Sequence, residues 1–95
     1  MTWPFVESPD VVVFTSANVI DHGHWIHFVS HDEDDGGWQF HSIDGAPNEQ
    51  EDSRIVLLKN IVALDPTLTA LADLPVGWIA WRNSIDSDWK RTRRE

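Results

Sequence analysis

Apolar and polar positions alternate along the chain in ways that mark out most of its elements. "VVVFT", Val11–Thr15, is a continuous β-branched and aromatic run, the pattern of a strand buried on both faces. Ser16 then stands where a helix N-cap belongs, and Asp21–Gly23 closes one short helical turn. "HWIHFVS", His24–Ser30, is a second strand by its Trp, Ile, Phe and Val content. In "WQFHSI", Trp38–Ile43, Trp38, Phe40 and Ser42 alternate with Gln39, His41 and Ile43, so the two sets face opposite sides of a third strand. The segment between these strands, "HDEDDGG", is then the loop of an antiparallel hairpin.

"DGAPNEQEDS", Asp44–Ser53, has one alanine and no larger apolar residue, which predicts an exposed acidic loop. "RIVLL" is a short strand leading into a helix through "LKNIVAL", with Leu58, Ile61, Val62 and Ala63 on a core-facing stripe. "DPTLTALADLP" is a helix punctuated at both ends: Asp65 is the cap, Pro66 the first helical residue, and Pro75 the stop. Leu68, Leu71 and Ala72 give it an i, i+3, i+4 face. "VGWIAWR", Val76–Arg82, is apolar on both sides, as a central strand is. Pro4 and Pro9 predict an extended N-terminal stretch that wraps the surface. The sum is an α+β domain over residues 1–89, with a mainly antiparallel sheet and two short helices packed on one face. "IDSDWKRTRRE" has no periodicity, so residues 90–95 are expected to be a disordered basic tail.

Charge sharpens this picture. The chain has 95 residues and a formal net charge of −9. Up to residue 89 there are fifteen acids against only Arg54, Lys59 and Arg82, giving −12, while "KRTRRE" has four bases and one acid, giving +3. A body this acidic repels phosphate backbones and attracts basic proteins, which argues against nucleic acid as the ligand. There is no cysteine, which removes disulfides and thiolate metal sites and fits a reducing compartment. No secretory pattern and no apolar stretch of membrane-spanning length is visible. The expectation is a soluble cytoplasmic protein without membrane contact.

Candidate chemistry concentrates between His22 and Ser42. Asp32, Glu33, Asp34 and Asp35 could coordinate a hard cation, but a calcium loop needs glycine at its sixth position and glutamate at its twelfth. Setting Gly37 or Gly36 at position six puts Ile43 or Ser42 at twelve, so neither register works. His22, His24, His27, His31 and His41 fall within twenty residues. Alternation places His27 and His31 on one side of a strand, and a hairpin could bring His41 near one of them. A structural zinc site needs four placed ligands, and His41 beside an acid could be a general base but has no nucleophile motif with it. The sequence therefore assigns no catalytic residue, no cofactor and no metal. Trp78 and Trp81 lie on opposite faces of the last strand, so one of them needs a loop, a second subunit or a partner to cover it.

The segments "DGGWQFHS" and "VLLKNIVALDPTLTALADLPVGWIAWR" resemble a family of small acidic bacterial domains, catalogued as the thirty-third immunity-protein family of polymorphic toxin systems. The matching positions are Asp35, Gly37, Trp38 and Phe40; Leu58 and Ile61; Asp65 and Pro66; Pro75, Val76 and Gly77; and Trp81 and Arg82. They span roughly residues 11–82. "HSIDGAPNE" departs from the more acidic run the family has after its aromatic strand. The family brings no catalytic residues. It implies a non-enzymatic module that binds and neutralises a toxin, and the acidic body makes a basic partner the expectation. Asp32, Glu33, Asp34, Asp35, Trp38 and Trp78 are its candidate contacts. The alternatives are a small hydrolase or metal-binding protein using the His/Asp cluster, and a self-associating domain that pairs through its Trp-rich sheet as a homodimer.

Overall fold

The computed structural model describes residues 3–42 and 53–94. Six strands, β1 (Val12–Ser16), β2 (Ile26–His31), β3 (Trp38–Ser42), β4 (Ser53–Leu57), β5 (Trp78–Trp81) and β6 (Lys90–Arg93), form one sheet in the order β4-β1-β3-β2-β5-β6. Among the described residues only β1 and β3 run parallel; every other pairing is antiparallel. Helix α1 (Ala17–His22) follows β1, and helix α2 (Leu58–Leu64) follows β4 and leads to a 3₁₀ helix at Pro66–Leu71. This is the expected α+β architecture. The acidic loop expected over residues 44–53 lies outside the described residues, apart from Ser53.

The registers sort the side chains into two faces. Val13, Val29, Trp38, Phe40 and Ala80 share one face and are buried together with Leu58, Ile61, Leu68 and Leu71 of the helices. The opposite face carries the row Ile55, Phe14, Gln39, Ser30, Ile79 and Thr92, and beside it Ser53, Ser16, His41, Phe28, Trp81 and Lys90. The uninterrupted apolar run predicted a β1 buried on both sides, yet Val12 and Phe14 are exposed on this second face. A β-branched run looks the same whether one face or two are covered.

Four further expectations are corrected. The N-terminal stretch does more than wrap the surface: Phe5 is buried in the core, edge-on to Trp38 at 5.5 Å. Residues 90–93 are not a disordered tail but strand β6, paired with β5 along its whole length. Arg91 fixes it further by donating to Asp73 and to the Ala70 carbonyl. The Asp65–Pro66 helix is 3₁₀ rather than α, with Leu68 N–H donating to the Asp65 carbonyl, and Ala63 on α2 is exposed.

Asp65 caps as expected, accepting from the Thr67 N–H, but its larger task is Arg82. That guanidinium is 1% exposed. It donates to Asp65 at 2.6 Å, to the Ile26 carbonyl at 2.9 Å, and to Thr67 Oγ1 and the Ile85 carbonyl. The Trp89 ring lies 4.3 Å from it. A buried cation stripped of its carboxylate is far more expensive than a lost cap. Asp65→Ala is expected to destabilise the fold by about 3 kcal/mol or more, rather than the ~1 kcal/mol of a cap alone. Adding Arg82→Met should recover part of the loss in chemical denaturation; an Asp65→Ala loss near 1 kcal/mol would contradict this. Thr15 Oγ1 is buried without a hydrogen-bond partner, so Thr15→Val should raise stability by about 1 kcal/mol, measured the same way.

Candidate functional site

The β2–β3 connection is built to project carboxylates. His31 pairs with Trp38 at the mouth of the hairpin, and the Asp32 N–H donates to the Gly37 carbonyl at 2.7 Å. The Gly36 N–H then donates back to the Asp32 carbonyl at 2.9 Å, a closure that needs the left-handed φ of +72° at Gly36. Asp35 accepts from the Gly37 N–H. Glu33, Asp34 and Asp35 are left exposed at the tip.

These acids wall a cleft of about 500 Å³, whose other sides are His31, Gln39, Gly77, Trp78 and Arg94. Gly77 enters β5 with φ +86°, where a Cβ would lie 3.4 Å from Glu33 Oε2, so β5 starts tight against the acidic loop. The Arg94 N–H donates to the Gly77 carbonyl, and its guanidinium stands 4.0 Å from Asp32. Asp32, Glu33, Asp34, Asp35 and Trp78 are thus brought together.

Trp38 is not among them. It is 1% exposed, stacked 4.0 Å from His31 on one side and against Phe40 on the other. Alternation with Phe40 already put it on the core side of β3, so it supports the loop from beneath and offers no contact surface. Asp32 also changes role. Its carboxylate accepts from Ser30 and from Gln39, at 3.0 and 2.6 Å, so it holds the structure while its three neighbours remain available.

Gln39 continues into a chain of polar groups. Because its Nε2 donates to Asp32, its Oε1 is turned to His41 Nε2, 3.2 Å away, which must donate. His41 Nδ1 is then the acceptor for the Ser16 hydroxyl at 3.3 Å. This explains why Ser16, at the head of α1, makes no side-chain cap. The neutral imidazole that the chain requires is favoured by burial, which pushes the His41 pKa down; Asp32 opposes this shift and Arg94 adds to it. Sequence alternation marks Gln39 and His41 as neighbours on one face, but nothing local links them to Ser16, 25 positions away.

The other histidines are scattered. His27 Nδ1 donates to the Arg82 carbonyl at 2.6 Å beside a bulge in β2. His31 Nδ1 donates to the Leu74 carbonyl, while its Nε2 lies 3.1 Å from Glu7. The bulge and the face change separate the His27, His31 and His41 grouping that alternation suggested. Among the described residues no three His, Asp or Glu side chains are grouped to hold a metal ion.

No family model, curated protein or solved structure matches this chain.

His41 supplies a test of the polar chain. Below the ordinary imidazole value of 6.5, the unfolded chain takes up a proton that the folded chain resists, so the unfolded state binds more protons and stability falls as the pH is lowered. The contribution is complete above that value and is lost as pH drops through the lowered folded pKa. Between about pH 7 and about pH 5, His41→Gln should show a flatter stability profile than the parent; parallel profiles would disconnect His41 from the chain.

Proposed function

We propose that this chain is a non-enzymatic binding module that receives a basic segment of a partner protein in the cleft beside the β2–β3 loop. The observation that carries the reading is the pairing of three exposed carboxylates, Glu33, Asp34 and Asp35, with the indole of Trp78 in one cleft. Carboxylates attract a Lys or Arg head at a distance, and an aromatic wall adds cation–π attraction once it arrives. Like charges crowded on a turn oppose local stability, and here Asp32 is held by two side-chain donors and Asp35 by the Gly37 N–H, yet Glu33, Asp34 and Asp35 stay exposed. The resemblance of the loop and helix segments to an immunity family supports taking the partner as a basic toxin, neutralised by occlusion. A cytoplasmic setting belongs to the same proposal and fits the lack of cysteine. No helix among the described residues is long and apolar enough to cross a membrane.

A hydrolytic reading would rest on the Ser16–His41 pair. Both residues are buried, at 6% and 8% exposure, and neither lines the cleft, which favours a structural role for the pair.

The probe is a short fluorescent Arg/Lys-rich peptide. Replacing Glu33 by Gln and Asp34 and Asp35 by Asn, with Asp32 kept, should leave folding intact and weaken binding about ten-fold at low salt. The difference should shrink as the Debye length falls below about 8 Å. Equal affinity of parent and triple variant at every ionic strength would remove the loop from the binding function.

A further inference from the structure

None of the six strands contains an Asp or Glu, although the chain has sixteen acids. On the helix-free face of the sheet this leaves two apolar flanks: Val12, Phe14 and Ile55 on β1 and β4, and Phe28, Ile79 and Trp81 on β2 and β5. Phe14 is 42% exposed and Ile55 65%. Between the flanks runs the hydrogen-bonded stripe from Ser16 through His41 and Gln39 to Asp32.

From this geometry we infer that the helix-free face is the seam of a homodimer. The stripe is the first argument. Ser16, His41 and Gln39 bond to one another, and Gln39 also to Asp32, so water can be removed from over these three at little cost, as a buried polar network requires, while Asp32 stays at the end of the stripe on the border of the cleft. The second argument is charge. A body of net charge −9 repels its own copy everywhere that carboxylates face outward, and the strand positions of this face have none. Symmetry is the third. A two-fold axis along the strands sets the first flank of one copy on the second flank of the other, twice over, and stripe on stripe. Sheets packed this way interdigitate their inner side chains. Asp32 and Gln39 border both this face and the acidic cleft, but Phe14 and Ile55 lie outside the cleft lining, so substitutions there read the dimer separately from partner binding.

Sedimentation equilibrium of the full chain from about 5 to about 500 µM should show monomer passing to dimer as concentration rises. Phe14→Glu and Ile55→Glu alter exposed positions, so both variants should fold, as thermal unfolding will verify. Each should raise the dimer dissociation constant at least about ten-fold by placing a carboxylate in the seam. Leu64→Glu, a comparable change at an exposed position at the end of α2 on the helical side, should leave dimerisation unchanged. A chain that stays monomeric throughout the range overturns the inference. So does a dimer that survives Phe14→Glu and Ile55→Glu, or one that Leu64→Glu disrupts.

Discussion

A guanidinium cannot give up its charge, and Arg82 holds one almost wholly out of water. Everything around it is arranged to make that tolerable. Ile26 supplies a carbonyl from β2, Asp65 and Thr67 supply oxygens from the start of the 3₁₀ helix, Ile85 contributes from the following connection, and Trp89 lays its ring alongside. One side chain therefore pins the end of β5 to its neighbouring strand, to the helical layer and to the segment leading into β6. The position of β5 fixes Gly77 and Trp78 at its other end, and with them one wall of the acidic cleft. Helix punctuation at Asp65 and the Trp78 wall of the cleft more than ten residues later are parts of the same mechanical chain.

Local rules read much of this. The hairpin around the four acids follows from two strand patterns and two glycines, and Asp65–Pro66 from capping chemistry, because those features are decided by a few adjacent residues. Long-range features were not legible. Phe5 is buried because Trp38 lies beneath it, a contact 33 positions apart in sequence. "KRTR" has no apolar residue, so no periodicity could announce β6; backbone pairing and the Arg91–Asp73 bridge make it a strand. Trp38 as a contact residue was a misreading that its alternation with Phe40 could have prevented. The Ser16–His41 bond needed the parallel β1–β3 pairing, which no turn signal encodes.

The two sheet faces divide the physical work. The helical face gathers the aliphatic side chains with Trp38, Phe40 and Phe5, so hydrophobic burial is concentrated there. Polar side chains on the other face satisfy one another in sequence, from a hydroxyl to an imidazole to an amide to a carboxylate. That chain ends at the loop bearing the free acids. The neutral state of His41 and the posture of the acidic tip are therefore joined through Asp32, which belongs to both.

Strand β6 has a consequence for the chain's behaviour when crowded. The tetrapeptide of β5, Trp-Ile-Ala-Trp, combines high β-propensity with no charge, the kind of segment that templates fibrillar stacking when its backbone edge is bare. Lys90–Arg93 occupies that edge with exposed cationic and hydroxyl side chains. It turns this uncharged strand into an interior one and presents positive charge where a bare edge would otherwise be. These residues thus close one side of the sheet without adding a single buried side chain to the core.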